Sequence, residues 1–429
     1  MKILLTNLCF IILITTTGWS STIYIPQDFE TIQSGIENAI DGDTVLVSPG
    51  DYEECIDFLG KAIIIASNFI LDGDQELVTT TRIIGEDLPA TVNFSNGEFQ
   101  TSQLIGFTIT SSIETNFKFP GISCFGTSPT ISHCDIIENH GVLGGGIYLE
   151  NSNAYLKYLS IINNNAIDET EVYYGYGGGI YMYNSSAIIE YLHIANNTSI
   201  YGAAVNIVGS SIPFFNRCII EDNTTEVGSV IGCGLLAKST FINCSIINNT
   251  GEFLLAVSED WAVSVVNSII YNNSTPLLEN DNTSMLINYT NLQFEYEGVG
   301  NLQEPPLFVD LNGGDFNLQE NSPCINAGIN DTIIYYNAGL DSLVVPNMRY
   351  YGSGVDMGAI EYNPFEGLIG DINLDFIIDI LDIVGLVQII LGFEEQNDYH
   401  LYYGDINNDH ILDILDIVAI VDIILTIEG

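Results

Sequence analysis

Short apolar segments with strand-like alternation recur along most of the chain. Each copy is rich in Ile and ends in Asn, and the copies begin at Cys134, Leu159, Leu192, Cys218, Cys244 and Asn267. They are spaced 25, 33, 26, 26 and 23 residues apart. Apolar residues alternate within a copy, as Cys134 and Ile136 do, and a period of two is that of a β-strand rather than a helix.

A second aliphatic column lies 12 or 13 residues before these segments, at Ile122, Ile147, Ile180, Val205 and Ile231. Asn, Gly and Ser, which favour turns, separate the two columns. Strands of about three to five residues that recur about every 25 residues suit a parallel β-helix, in which each coil stacks on the last. We therefore predict an all-β solenoid over residues 22–363.

Two further patterns refine this solenoid. The last Asn of each segment is predicted to join a ladder in which each amide bonds to the next coil, at Asn139, Asn164, Asn197, Asn223, Asn249 and Asn272. Ile32, Ile36 and Ile40 have helical spacing after Asp28, a plausible N-cap residue. The pattern predicts a helix within 29–40 that caps the N-terminal end of the core.

Motifs at both ends of this region resemble those of secreted right-handed parallel β-helix proteins of the pectate-lyase-like superfamily. The matching segments are 24–33, 41–45, 49–52, 144–148, 177–181, 306–310, 321–328 and 356–362. The resemblance implies a right-handed coil over 22–363. It leaves the activity open, because the superfamily includes lyases, hydrolases, esterases and binding proteins.

After a linker at 364–369, an acidic loop motif occurs twice in register, 34 residues apart. Oxygen ligands at loop positions 1, 3, 5, 9 and 12, with a carbonyl at 7, are what calcium requires. The motif predicts two calcium ions; the alternative is a pair of exposed acidic turns. The first copy is Asp371, Asn373, Asp375, Ile377, Asp379 and Asp382, and the second is Asp405, Asn407, Asp409, Ile411, Asp413 and Asp416.

Apolar helices are predicted after the loops, over 383–391 and 417–425. This duplicated arrangement resembles a type I dockerin over 370–429, which implies docking to a cohesin-bearing partner. Positions that resemble cohesin-selecting sites hold Ile380, Leu381, Ile414 and Leu415. Two alternatives stay open: these side chains pack inside the protein, or the region is only a calcium-stabilised end domain. Phe376 and His410 replace the usual Gly, which puts the calcium affinity in question.

Composition narrows the range of partners. Lys and Arg number 8 against 55 Asp and Glu, for a formal net charge of −47. Such a chain repels phosphate, which argues against nucleic acids and anionic membranes as direct ligands. Apolar residues make up 47%, too many for a disordered acidic tail. Neutral polysaccharides are the easier ligands for an acidic surface.

The first residues indicate secretion. A cationic start, an apolar stretch and a small-residue end predict a signal peptide over residues 1–20 and an extracellular or cell-surface location. Seven cysteines follow it, an odd number spread over a long chain, so most are interpreted as small buried hydrophobic residues rather than a disulfide framework.

Catalysis is left open between two hypotheses, a polysaccharide hydrolase or lyase and a non-catalytic binding, adhesion or structural protein. The coil between Leu159 and Leu192 is longer than its neighbours, and long loops on rigid scaffolds often carry function. Its carboxylates Asp168, Glu169 and Glu171, with Arg217, are the catalytic candidates, although a solvated acidic loop is the simpler interpretation. The carbohydrate-binding candidates are Tyr148, Tyr173, Tyr174, Tyr176, Tyr181 and Tyr183.

Overall fold

The chain folds as an all-β parallel solenoid of about nine turns, followed by a few small helices. The computed structural model describes residues 20–85, 90–112, 119–167, 174–225, 227–234, 236–257, 262–274, 276–279, 284–330, 333–336, 341–344, 354–363, 368–373, 375, 377–393, 396–407, 409 and 411–427.

Three parallel sheets form the sides of the solenoid, and neighbouring strands belong to successive coils. The first sheet contains Thr22–Ile25, Thr44–Val47, Ile64–Ser67, Gln103–Ile105, Thr130–Ser132, Tyr155–Lys157, Ile188–Glu190, Phe214–Asn216, Lys238–Ile242, Ala262–Val266 and Ser284–Asn288. The second contains Ile56–Asp57, Val92–Phe94, Ile122–Phe125, Ile147–Glu150, Ile180–Tyr183, Val205–Val208, Ser229–Cys233, Phe253–Val257 and Leu278–Glu279. The third contains Gly50–Tyr52, Thr81–Gly85, Thr108–Ser111, Asp135–Ile137, Ser160–Ile162, His193–Ala195, Ile219–Glu221, Ser245–Ile247, Ile269–Tyr271 and Asn291–Leu292.

The remaining elements are short. A small parallel sheet joins Asn165–Ala166, Thr198–Ser199 and Thr224–Thr225, and two antiparallel hairpins pair Phe308–Asp310 with Asp315–Leu318 and Ile333–Tyr336 with Asp341–Val344. The helices are α1 (Ile32–Asn38), α2 (Phe69–Asp72), α3 (Gln75–Thr80), α4 (Ile380–Ile390), α5 (Asp398–Gly404) and α6 (Ile414–Ile427). None of the helices in the described ranges is long and apolar enough to cross a membrane.

The predicted aliphatic column stacks in register through the core. Ile147 pairs with Ile180 and Ile180 with Val205, and all three side chains are fully buried. Full burial of an aliphatic side chain stabilises the fold by roughly 1.5–3 kcal/mol, so the column is a main source of stability. Six of the seven described cysteines are buried, as the sequence indicated for most of them.

Helix α1 caps the N-terminal end of the core as predicted, but it is shorter than the sequence pattern indicated. Its N-cap is Thr31 in a capping box with Ser34, not Asp28, whose carboxylate accepts the Tyr24 backbone N–H instead. Ile32 and Ile36 are buried against the first coils. The predicted third position, Ile40, is exposed because the helix ends at Asn38.

A ladder of buried asparagines follows the third sheet and matches the prediction except at its last position. Asn197 accepts hydrogen bonds from the backbone and side-chain N–H of Asn164, over 2.9 and 3.0 Å. It donates to the Asn223 amide oxygen over 2.9 Å. Asn249 donates to Asn273 rather than to Asn272, because the coil register sets Ser268, not Asn267, opposite Cys244 and Asn273 opposite Asn249.

Residues beyond the last coil fold back over the third sheet. Phe308, Phe316 and Met357 pack with Ile247 and Ile269 of two late coils. The Ala359 backbone N–H donates to the Ser245 hydroxyl over 2.9 Å. The outer face of this sheet is therefore covered near its C-terminal end.

Helices α4 and α6 each begin three residues earlier than the hydrophobic pattern indicated. Asp379 is the N-cap of α4, accepts the Leu381 N–H and forms a capping box with Asp382. The loop carboxylates therefore cap the start of the helix. The predicted helix start was three residues too far along the chain, because the loop was assumed to end at its twelfth position before the helix began.

Candidate functional site

Five of the six predicted tyrosines lie in the described residues, and four of them, Tyr148, Tyr174, Tyr176 and Tyr181, make ring contacts around the second sheet. Ile147 and Leu149 point into the core, so Tyr148 and Glu150 project outward, and the strand Ile180–Tyr183 does the same with Tyr181 and Tyr183. We call this surface the tyrosine face and define it as Tyr148, Tyr174, Tyr176, Tyr181, Tyr183, Tyr201, Glu150 and Asn206.

Two ring stacks run from coil to coil on the tyrosine face. Tyr148 and Tyr181 are almost parallel, with ring centroids 5.7 Å apart and an interplanar angle of 6°. Tyr176 stacks on Tyr201 at 5.2 Å, and Tyr174 meets the edge of Tyr176 at 5.6 Å. In-register pairing of successive coils holds these rings in place, so the surface is organised before any ligand arrives.

Gly228 leaves room for the Tyr201 ring. Its backbone has φ of +88°, and a Cβ there would come within 2.4 Å of the Tyr201 ring. Any larger residue would push the ring away from the coil.

Polar acceptors border the stacks. The Tyr148 hydroxyl donates to the Glu150 carboxylate. Asn206 is paired in register with Tyr181 and is only 6% exposed. Its amide oxygen has no hydrogen-bond partner among the described residues. Because this oxygen is buried, a ligand hydroxyl cannot reach it, and the unpaired acceptor is a free-energy cost carried by the fold.

Burial raises the pKa values of two tyrosines on the tyrosine face. Burial, the hydrogen bond to Glu150 and the charge of that carboxylate raise the pKa of Tyr148 well above its ordinary value. Burial and the neighbouring Tyr174 and Glu150 raise the pKa of Tyr181 to about 12. Both phenols therefore stay neutral and keep their O–H donors at any physiological pH.

The structure tests only part of the predicted site. Asp168, Glu169, Glu171 and Tyr173 lie outside the described residues. Tyr201, Glu150 and Asn206 were missed by the sequence analysis, which considered only the long coil and its neighbours. Tyr201 follows Tyr176 by 25 residues, one coil length, and this spacing was the available signal.

Arg217, the predicted catalytic cation, lies elsewhere. It occupies the turn between the first and third sheets, and its guanidinium pairs with Glu361 at 3.5 Å. It also lies over the Tyr191 ring, 5.7 Å from the centroid. Here it holds the covering segment 354–362 against the coil.

That segment contains two buried carboxyl groups. Asp356 accepts the backbone N–H groups of Asn326 and Tyr362 over 2.7 and 2.6 Å. Burial and the neighbouring Asp356 raise the pKa of Glu361, and Arg217 lowers it only in part. Burial likewise raises the pKa of Asp356.

The two acidic loops before α4 and α6 have the same hydrogen-bond network. In the first, Asp382 accepts the backbone N–H groups of Ile372 and Asp379, and Asp371 accepts that of Asp375. In the second, the equivalent residues 34 positions later repeat these bonds at Asp416 and Asp405. The duplication in sequence is therefore a duplication in structure.

Four loop carboxylates, Asp371, Asp382, Asp405 and Asp416, are at most 2% exposed. Residues 350–429 contain no Lys or Arg. Within the described ranges, however, no three His, Cys, Asp or Glu side chains gather in a way that could hold a metal ion. The loop carboxylates are oriented toward their own backbone amides. Phe376 and His410 lie outside the described residues.

The four predicted partner-binding residues do not pack inside the protein. Ile380, Leu381, Ile414 and Leu415 are between 56% and 69% exposed at the starts of α4 and α6. The alternative in which they are core residues is therefore excluded. A module this small seldom leaves so many large apolar side chains in water without a use for them.

Comparisons with known proteins support the fold. A family model described as "Right handed beta helix region" matches residues 120–294. No curated protein matches the chain.

Solved structures with similar chain paths include the pectate lyase Pel9A, 13% identical, with a TM-score of 0.49 over 81% of this chain and 97% of that one. The pectin methylesterase from carrot is 11% identical, with a TM-score of 0.41 over 64% of this chain and 89% of that one. At these values the similarity does not bear on activity, which has to be argued from the site.

Proposed function

We propose that this protein is secreted and binds neutral polysaccharide through the tyrosine face. The observation that carries the proposal is the pair of preformed ring stacks, Tyr148 on Tyr181 and Tyr176 on Tyr201, bordered by the acceptor Glu150. Sugars present C–H faces that pack on aromatic rings and hydroxyls that donate to such acceptors.

The electrostatics of the face favour a neutral glycan. Both phenols keep their protons, Glu150 is an acceptor, and the chain as a whole carries a net charge of −47. A densely charged polyuronate would be repelled by this surface. Hydroxyl groups, in contrast, can donate to Glu150.

Affinity electrophoresis of the full-length protein through gels containing neutral glucan, xylan or mannan tests the proposal. We expect at least one neutral gel to retard the protein. Tyr181→Ala should weaken the apparent affinity roughly tenfold, because it removes one aromatic contact. Tyr24→Ala is the matched control, because Tyr24 is also an exposed tyrosine on a strand but lies in the first sheet. Unchanged retardation of the Tyr181 variant would contradict the proposal.

The same polysaccharides decide whether the protein is only a binder. We expect neither new reducing ends nor the absorbance of unsaturated uronates. New reducing ends alone would identify a hydrolase and direct mutagenesis to Asp168, Glu169 and Glu171. Both signals together, from a uronate polymer such as polygalacturonate tested beside the neutral glycans, would identify a lyase.

A second function is supported by the C-terminal module: calcium-dependent docking to a partner protein, the role of dockerin domains. Its support is the repeated loop network and the exposed pairs Ile380–Leu381 and Ile414–Leu415. The donor types suit calcium, because they are Asp and Asn oxygens with the backbone carbonyls of Ile377 and Ile411. To meet at one ion, the described carboxylates would have to turn away from the loop amides that they now accept. When bound, calcium would supply the positive charge that residues 350–429 lack.

Scanning calorimetry of the full-length protein with calcium and then with a chelator tests the calcium part. We expect calcium, but not magnesium at equal concentration, to raise the melting temperature of one transition. Identical traces would leave the loops as acidic turns and remove the basis for calcium-dependent docking.

A further inference from the structure

A second aromatic surface lies on a different side of the coil from the tyrosine face. It follows the corner where the first sheet turns into the third. There His133, Tyr158, Tyr191 and Arg217 occupy one turn position in successive coils, each with φ between 52° and 55°. The left-handed backbone directs all four side chains outward, and we call this surface the corner ladder.

The corner ladder is continuously stacked. His133 lies 4.9 Å from Tyr158, and Tyr158 lies 4.8 Å from Tyr191 with an interplanar angle of 26°. Tyr158 and Tyr191 are 42% and 37% exposed, so their edges and hydroxyls face solvent. Like the tyrosine face, this surface is rigid before a ligand binds.

What distinguishes the corner ladder is positive charge. The chain has 8 Lys and Arg, and two of them are here. Arg217 is already paired with Glu361. The Lys157 ammonium lies 4.9 Å from the centre of the Tyr158 ring and 5.9 Å from that of Tyr191. Among the described residues it has no ion-pair or hydrogen-bond partner.

The adjacent acid does not neutralise Lys157 by direct pairing. Glu190 is in register with Lys157 on the next strand. Its two oxygens accept from the Tyr155 hydroxyl over 2.6 Å and from the Asn216 amide over 3.2 Å. Burial and the charge of Lys157 lower the pKa of His133, so the imidazole adds no competing cation near neutral pH.

We infer that the corner ladder binds a single carboxylated sugar unit, with Lys157 pairing its carboxylate and Tyr158 and Tyr191 contacting its ring. Glu190, fixed by Tyr155 and Asn216, accepts a sugar hydroxyl. One lysine in a chain of net charge −47 cannot hold a dense polyanion. The ligand class is therefore a mostly neutral glycan that bears isolated uronate groups.

The inference extends the proposed function, since it adds a second contact for the same class of polymer, but its test is separate. The probe is a xylan with isolated glucuronate side groups, and its control is the same xylan after chemical reduction of the carboxyl groups. Affinity electrophoresis of the full-length protein in both gels, at fixed ionic strength, compares them directly.

We expect the wild-type protein to bind the glucuronate-bearing xylan about tenfold more tightly than the reduced form, as one charge-assisted contact allows. Lys157→Met keeps most of the aliphatic stem and should abolish this preference, whereas Lys157→Arg should keep it. Tyr181→Ala should weaken the retention of both polymers and leave the preference unchanged.

Equal retention of the two xylans by the wild type, or a preserved preference in Lys157→Met, would overturn the inference. If Tyr181→Ala retains full binding of the reduced xylan while Lys157→Met loses the preference, the proposed function fails and this inference stands.

Discussion

The solenoid and the C-terminal module are both built from sequence repeats, but their repeats bury different kinds of polar group. The solenoid buries a ladder of neutral amides bonded from coil to coil, as Asn197 is to Asn164 and Asn223. The module buries carboxylates that accept backbone N–H groups of their own loop, as Asp382 does from Ile372 and Asp379. Neutral amides can satisfy one another inside the chain, whereas buried carboxylates favour an external cation.

The largest expected effect breaks the neutral ladder. Asn197→Leu leaves the two N–H groups of Asn164 without an acceptor inside the core. We expect the free energy of unfolding of the solenoid to fall by about 3 kcal/mol or more, measured by urea titration. Asn196→Gly is the control, because Asn196 is exposed and has φ of 55°, which Gly accepts. Equal losses in both variants would show that the ladder has no special role.

Calcium is expected to change the free energy of unfolding of the module by a nearly equal amount and to leave that of the solenoid unchanged. Saturating calcium should stabilise the module by about 2.7 kcal/mol when its concentration is about 100 times Kd. Asp382→Asn together with Asp416→Asn should abolish this response, because the neutral amides no longer supply charge. The Asn197→Leu variant is the internal control and should respond to calcium like the wild type. A calcium response that survives the double substitution would assign it to another part of the chain.

The solenoid also buries carboxyl groups outside its ladder, among them those of segment 354–362, which covers the third sheet. Burial and Asp356 raise the pKa of Glu361 in the folded state above its value in the unfolded chain. At a pH between these two pKa values, Glu361 is protonated in the folded protein and ionised in the unfolded chain. Stability therefore falls as pH rises through that window.

Glu361→Gln should flatten this part of the pH dependence. We expect the free energy of unfolding of the variant to rise by roughly 1 kcal/mol relative to that of the wild type as the pH increases from about 5 to about 8.5. Urea unfolding at a series of pH values measures it. Parallel curves for the two proteins would mean that Glu361 is already ionised in the folded state at the lower pH.

The smallest effect is expected at the exposed apolar residues of the module. Ile380→Ser with Leu381→Ser should change the free energy of unfolding by no more than about 0.5 kcal/mol per site, because both side chains are exposed. A cost of several kcal/mol, measured by calorimetry with calcium present, would place these residues in a packed interface within the chain instead of on a docking surface.

The sequence predicted the features that repeat from coil to coil, and it missed side-chain roles that depend on contacts between residues far apart in the chain. The period of two and the regular Asn positions placed the coils. The ladder prediction failed only at its last position, because the sequence pattern aligned Asn267 with Cys244 where the coils align Ser268, which gave Asn272 in place of Asn273. Arg217 was named a catalytic candidate because its partner, Glu361, lies 144 residues away and no local pattern links the two. The position of Asn206 beside Tyr181 depends on the register of two coils, which no local pattern shows.

The central claim is that the tyrosine face binds neutral glycan. Calorimetric titration with a neutral oligosaccharide tests it most directly. The oligosaccharide is taken from the polymer that retards the protein most in the gels. The wild type and Tyr24→Ala should give the same affinity. Tyr148→Ala combined with Tyr181→Ala should abolish measurable binding while the unfolding transition is retained. Full binding by the double variant would contradict the account.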